Sequence, residues 1–255
     1  MALDTFHALQ AARRPGLRPA APAALLVAGA TGVLGNEVLR RLVGQQRHGT
    51  AQVLAREPMQ SGLHGVQALL VADQPIDAWP AVAAGTGVVM FEPPRLYYQR
   101  ERALWTPQPG QLPALAAWMR RCGVRTLAVV QPHAQGRLPE ALKRGLASLD
   151  EQAVAALGFE RVLLLRSVQK PGPVVHAGWP QRLAAWMLSV GRFMLPGSEQ
   201  PVRAAKIAEL VAEALAHAPA GIHVAAPELV WRAAQGDLAG VVAEWLGRHP
   251  AAATG

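Results

Sequence analysis

Lysine, tyrosine and cysteine are scarce in this sequence of 255 residues, which has three lysines, two tyrosines and one cysteine. The single cysteine, Cys122, excludes a disulfide within the chain and fits a reducing compartment, so we predict a cytoplasmic protein. No apolar run reaches the roughly 20 residues that a membrane-spanning helix needs. The sequence also has no H-E-x-x-H, Cys/His cluster or G-x-S-x-G motif, so it gives no support to metal or acyl-transfer chemistry.

The charge is strongly positive, with a formal net charge of +8 and a pI of about 10.9. Almost all of the positive charge is arginine, and the arginines are scattered along the chain instead of alternating with aromatic residues in a run. Charge without such a motif is a weak signal for nucleic-acid binding, so we expect no nucleic-acid partner. Apolar residues make up 51% of the chain, which is enough for a large core.

Residues 1–22 contain Arg13, Arg14 and Arg18 but no apolar stretch of the kind found in a secretory signal. We interpret this segment as a flexible tail, with an arginine-rich transit peptide as the alternative. Residues 23–255 then form the predicted single domain.

Short apolar runs alternate with helical patterns between Ala23 and Val168, which predicts parallel strands joined by crossover helices. The predicted strands are 24–28, 51–55, 66–72, 88–91, 125–130 and 161–167, and the predicted helices are 33–43, 112–121 and 138–157. This order indicates an α/β fold with a doubly wound parallel sheet.

The pattern changes after Pro171, where we predict a small C-terminal helical lobe over residues 171–255 that forms a substrate or partner surface. Its predicted elements are helices over 179–195, 201–216 and 237–246 and a strand over 222–226. The apolar stripe of the first helix is the ordinary signature of core packing; the alternative is that it lines a pocket or contacts a partner or membrane surface.

The most informative segment is Gly29-Ala30-Thr31-Gly32-Val33-Leu34-Gly35, which lies between an apolar strand and a helix. Gly29 permits a tight turn, Gly32 lets the backbone approach a pyrophosphate, and Gly35 lets the helix pack closely on the strand. The helix N-terminus offers free N–H groups to phosphate. We therefore predict a Rossmann-type fold in which Gly29, Thr31, Gly32, Val33, Leu34 and Gly35 bind a dinucleotide.

Arg56 follows the second predicted strand, at the position that distinguishes NADP from NAD. Because a guanidinium pairs well with a 2′-phosphate, we predict NADP as the preferred cofactor and NAD as the alternative. Glu57 would favour NAD if its side chain pointed to the ribose. Asp73, after the third strand, is a further candidate for contact with the adenine, with a helix cap as the equal alternative.

On these residues the chain resembles the atypical short-chain dehydrogenases/reductases, in particular the Tat-interacting-protein-like group. The resemblance runs from about Ala23 to Val230. It rests on the glycine motif, on Arg56 with Pro58, on the segment 153–162, and on Pro201-Val202-Arg203-Ala204 before a helix.

The resemblance implies a catalytic Ser, Tyr and Lys, and this sequence departs at all three positions. Gln131 stands at the expected Ser, Lys143 at the expected Tyr and Ala147 at the expected Lys. The fourth strand also ends in Glu92-Pro93-Pro94, where the family keeps small residues beside the cofactor.

The substitute proton donors that the sequence offers are Lys143, His133, Tyr97 and Tyr98, none with an assignable partner. We therefore predict a dinucleotide-binding or scaffold protein without standard hydride transfer, which also has a small-molecule or protein partner. The alternative is an NADPH-dependent oxidoreductase or isomerase with a non-standard proton donor.

Overall fold

The computed structural model describes residues 23–59, 62–71, 74–95, 98–133, 146, 148–168 and 202–247. The strands are β1 (Leu25–Ala28), β2 (Ala51–Ala55), β3 (Val66–Leu70), β4 (Thr86–Met90), β5 (Thr126–His133), β6 (Arg161–Val168) and β7 (Gly221–Ala225). The helices are α1 (Gly32–Gly44), α2 (Gln99–Arg102), α3 (Leu112–Arg121), α4 (Leu149–Ala156), α5 (Ala204–His217), α6 (Pro227–Gln235) and α7 (Leu238–Trp245).

The seven strands form one parallel sheet in the order β3-β2-β1-β4-β5-β6-β7. The chain moves outward in one direction from β1 to β3 and then in the other direction from β4 to β7. The strand order therefore reverses between β1 and β4, which is where open α/β sheets bind ligands. This topology confirms the predicted Rossmann-type α/β fold.

Side chains alternate between the two faces of the sheet, and each face has its own apolar core. Leu25 and Val27 of β1 pack on the face covered by α1, α5, α6 and α7, whereas Leu26 and Ala28 pack on the face covered by α3 and α4. Because β1 is buried on both faces, its sequence is a continuous apolar run, as expected for a central parallel strand.

Most of the predicted elements are present. The boundaries predicted for β2 and α3 are those observed, and the other described strands differ from their predicted ends by a few residues. The prediction of one helix over 138–157 was wrong, because Ser148 has an extended backbone and its hydroxyl accepts a hydrogen bond from the Glu151 amide. Ser148 is the N-cap of α4, so the helix begins at Leu149.

The described part of the predicted C-terminal lobe is continuous with the sheet. Strand β7 pairs with β6, and α5 packs against α1. Asp237 caps α7 by accepting a hydrogen bond from the Gly240 amide. The sequence analysis missed α6. The predicted tail over 1–22 and the predicted helix over 179–195 lie outside the described residues.

In the part of the chain that the structure describes, no helix is both long and apolar enough to cross a membrane.

Candidate functional site

The glycine-rich segment forms a tight loop between β1 and α1, and each of its three glycines is required by the geometry. Gly29 and Gly32 have φ angles of 75° and 70°, in the left-handed region that favours glycine. A Cβ on Gly29 would lie 1.9 Å from the Met90 carbonyl oxygen, and a Cβ on Gly35 would lie 2.6 Å from the Gly29 carbonyl oxygen. These contacts fit the turn and close helix packing predicted for Gly29 and Gly35.

The chain after β4 runs across this loop. We call its described residues, 91–95 and 98–106, the crossing segment. Its Trp105 amide donates to the Leu54 carbonyl at 2.9 Å, and its Trp105 carbonyl accepts from the Gly29 amide at 3.2 Å. The Arg56 amide donates to the Ala103 carbonyl at 2.7 Å. The crossing segment therefore lies over the carboxyl ends of β1 and β2, beside the point where the strand order reverses.

Glu92, the second residue after β4, places its carboxylate on the N-terminus of α1. Its Oε2 accepts a hydrogen bond from the Leu34 amide at 2.5 Å. A Cβ on Gly32 would lie 2.3 Å from the Glu92 carboxyl carbon, so the space left by Gly32 is taken up by this side chain. The Glu92 backbone is also fixed, because its carbonyl accepts from the hydroxyl of the buried Thr31 at 2.5 Å.

Glu101, in α2, supplies a second carboxylate to the same loop. Its side chain is buried, and its Oε2 accepts from the Gly32 amide at 3.0 Å and from the Arg95 amide at 2.8 Å. Its Oε1 accepts from the Asn36 side-chain amide at 2.9 Å and from Arg95 Nε at 2.7 Å, and also from Arg95 Nη2. The lone pairs of this carboxylate are fully used.

The hydrogen bonds determine the charge state of Glu101. Burial by itself would raise its pKa, but the hydrogen bonds from the Arg95 side chain and from the Arg95 and Gly32 amides outweigh burial, so the pKa lies below its ordinary value. The Arg95 guanidinium is held by the same pairing, and it also lies 3.7 Å from the centre of the Tyr98 ring. Glu92, Arg95 and Glu101 together carry a formal charge of −1 at neutral pH.

Together the contacts describe an anion-binding loop that already holds anionic oxygens. The Gly32 and Leu34 amides, at the positive end of the α1 dipole, each donate to a carboxylate of the same chain. In a Rossmann-type fold these amides are the donors that the cofactor phosphates require. The residues therefore fit a phosphate chemically, although Glu92 and Glu101 hold the positions.

Arg56 lies where the sequence predicts, immediately after β2, and its side chain is exposed. It lines a cavity of about 510 Å³ together with Val71, Gln74, Trp79 and Trp105. Glu57 is exposed beside it. Asp73 lies outside the described residues, so its predicted contact with adenine stays a prediction.

Trp79 and Trp105 line this cavity, and their contacts with each other and with Trp118 anchor the crossing segment. The ring of Trp79 meets Trp105 edge-on at 5.1 Å and Trp118 at 5.3 Å between ring centres. The indole N–H groups of Trp79 and Trp118 donate to the carbonyls of Gln74 and Pro80. Buried aromatic contacts of this kind are among the stronger packing interactions, so Trp105 is firmly held.

Of the three catalytic positions that the resemblance implies, the structure describes only that of Gln131. Gln131 lies near the end of β5, in register with Arg166 on β6. Arg166 is buried and pairs with Glu151 of α4, with 2.6 Å between Nη2 and Oε2. Tyr98 packs on Arg95 with half of its surface exposed. Lys143, Ala147 and Tyr97 lie outside the described residues, as does the side chain of His133.

The sequence analysis did not identify Glu92, Arg95 and Glu101 as site residues. A signal was present for Glu92, because it replaces a small residue at the end of the strand next to β1. Nothing local pointed to Glu101, since its contact with Gly32 depends on the path of the crossing segment between them.

The fold and the loop define the class of the protein as a Rossmann-type α/β protein with a glycine-rich anion site. No family model matches the sequence, and no curated protein sequence matches it.

Solved structures with a similar fold include a Citrobacter sp. triphenylmethane reductase complexed with NADP(H), at 15% identity over 78% of this chain and 68% of that chain, with a TM-score of 0.46. The Bordetella bronchiseptica enzyme WbmH, in complex with NAD+, is 11% identical over 83% and 79%, with a TM-score of 0.45. A UDP-N-acetylglucosamine 4-epimerase from Bacillus cereus is 12% identical over 83% and 81%, with a TM-score of 0.43. The fold assignment rests on the strand order of the sheet, and these distant similarities add nothing to the assignment.

Proposed function

We propose that this chain is a dinucleotide-binding protein that acts as a binding or scaffold protein, without the standard Ser-Tyr-Lys hydride transfer. One observation carries the binding half of the proposal: the Gly32 and Leu34 amides each donate a hydrogen bond to a carboxylate oxygen. The carboxylate oxygens stand in for phosphate oxygens, because both are anionic acceptors that complement a helix N-terminus.

The non-catalytic half rests on the residues that replace the expected set. The Gln131 side-chain amide donates hydrogen bonds but is not an acid at neutral pH, and the neighbouring Arg166 pairs with Glu151. A proton donor for a carbonyl needs a positioned group of suitable pKa, and Tyr98, the tyrosine that the structure describes, has its ring packed on the Arg95 guanidinium. A dinucleotide would contribute hydride chemistry only if the chain also supplied that group.

For the cofactor, we propose NADP in preference to NAD. Arg56 borders the cavity beside β2, with its side chain free to turn toward a 2′-phosphate. A charge-assisted pair of this kind is worth about 1.5–3 kcal/mol, which corresponds to a preference of roughly ten- to hundredfold. We expect Arg56→Ala to remove most of it in calorimetric titrations, with Arg120→Ala on α3 as an exposed-arginine control. Equal affinity of the unaltered protein for NADP+ and NAD+ would contradict this assignment.

The function is tested by two measurements on the same protein. Calorimetry should detect binding of NADP+, and NADPH oxidation with a panel of aldehydes, ketones and quinones should stay at background. No heat with NAD+, NADH, NADP+ or NADPH at millimolar concentration would contradict dinucleotide binding. Turnover that is lost in Lys143→Met, His133→Ala or Tyr98→Phe would instead support the oxidoreductase alternative and identify its proton donor.

A further inference from the structure

We propose that Glu92 and Glu101 are built-in competitors of the dinucleotide phosphates: they close the glycine loop by binding its amides and must leave before a dinucleotide binds. This inference rests on the proposed function and adds a regulatory contact to it. The regulatory contact involves residues of the crossing segment. A glycine-rich loop does not need these residues in order to bind a phosphate.

The first argument is the sharing of donors. The Leu34 amide donates to Glu92, and the Gly32 amide donates to Glu101. A backbone amide has one proton, so a phosphate oxygen and a carboxylate oxygen compete for it. The Glu92 carboxyl carbon also lies 2.3 Å from the position that a Cβ of Gly32 would take, so it fills the space that this glycine leaves open.

The second argument is charge. Arg95 forms an ion pair with Glu101, and the formal charges of Glu92, Arg95 and Glu101 add up to −1, so this group of residues is already negative. A pyrophosphate brought beside it would meet two carboxylates, and like charges a few ångströms apart repel strongly when they are only partly solvated. A phosphate oxygen therefore binds the Gly32 or the Leu34 amide only after the carboxylate on that amide has moved away.

The two carboxylates are held very differently, which identifies the one that moves first. Glu101 is buried and accepts five hydrogen bonds, including two from the Arg95 guanidinium. Glu92 is half-buried, and the structure shows its carboxylate bonded to the Leu34 amide. Trp105 anchors the crossing segment in the core. Opening of the loop therefore begins with rotation of the Glu92 side chain, while the backbone stays in place.

The test is calorimetric titration of the full chain with NADP+, comparing the unaltered protein with Glu92→Gln and Glu101→Gln. Glutamine keeps the size of the side chain but removes the charge and weakens the hydrogen bond to the amide. We expect Glu92→Gln to bind NADP+ about 10- to 100-fold more tightly, the effect of losing one charge-assisted competitor. The matched control is Glu160→Gln, an exposed glutamate before β6 at the opposite edge of the sheet, which should leave the affinity unchanged.

Thermal melting of each variant shows whether it is folded, which matters most for the buried Glu101. Equal NADP+ affinity in the unaltered protein and Glu92→Gln would overturn the competition while leaving the proposed function standing. No binding by any folded variant would overturn both. An equal gain in NADP+ affinity in Glu160→Gln would also overturn the competition, because the effect would then come from net charge alone.

Discussion

At the scale of single residues, Gly32 has two separate constraints, a left-handed backbone with φ of 70° and the Glu92 carboxyl group beside its Cα. We expect Gly32→Ala to lower the free energy of unfolding by about 1–2 kcal/mol, mostly through the backbone, because the Glu92 side chain can turn aside. Denaturant unfolding measures this change.

Gly44, at the end of α1, is the matched control, since nothing lies within 4 Å of the position its Cβ would take. Gly44→Ala should be neutral or stabilising by up to about 1 kcal/mol. If Gly32→Ala were as stable as Gly44→Ala, the strained backbone and tight contact described for Gly32 would be wrong.

Glu101 makes stability depend on pH. Its pKa is lowered in the folded protein, so its ionised form adds stability above the unfolded carboxyl pKa of about 4.3, and this is lost as the pH falls through the lower folded value. Arg95 is in direct contact with Glu101, Glu92 and Tyr98 lie near Arg95, and Arg40 and Arg100 line a pocket together with Glu101.

We therefore expect Glu101→Gln to lower the free energy of unfolding at neutral pH, with a gap to the unaltered protein that narrows below about pH 4. Taking the difference between the two proteins cancels the titration of the other carboxyl groups. Urea unfolding at several pH values measures the gap. A gap of constant size from neutral to acidic pH would show that the ionised carboxylate is not what stabilises the loop.

At the scale of elements, the start of α4 depends on one side chain. The Ser148 hydroxyl accepts from the Glu151 amide at 3.2 Å, and Asp150 and Glu151 in the first turn complement the helix dipole. Ser148→Ala should lower the free energy of unfolding by about 1 kcal/mol, whereas Ser148→Asp should leave the free energy of unfolding unchanged, because Asp is also a good N-cap. Equal losses in the two variants would mean that the hydroxyl does not cap α4.

The same region shows why element boundaries were harder to predict than element types. The apolar pattern before Gly158 continues toward Leu138, so periodicity alone extended the helix past Ser148. A serine is compatible with both a helix interior and an N-cap, and the choice is made by its backbone and by packing that a linear pattern does not contain. β2 and α3 were predicted well because turn residues and a proline bound them closely.

At the scale of the whole molecule, the doubly wound parallel sheet was predictable, because alternating strands and helices leave few parallel topologies. The glycine loop was predictable because its spacing is local. The carboxylates on the loop were not predictable, because they are distant in sequence from the amides that donate to them. Glu92 lies 58 residues from Leu34, and Glu101 lies 69 residues from Gly32. The crossing segment brings the two regions together, and its path follows from the docking of Trp105 against Trp79.

The central claim is that the glycine loop is a phosphate site held by the protein's own carboxylates. A crystal structure of the full chain with NADP+ tests it most directly. The account predicts pyrophosphate oxygens hydrogen-bonded to the Gly32 and Leu34 amides, with the Glu101 and Glu92 carboxylates displaced from these amides and Trp105 still packed on Trp79. A structure in which Glu92 and Glu101 stay hydrogen-bonded to those amides, and NADP+ is absent or bound elsewhere, would contradict the claim.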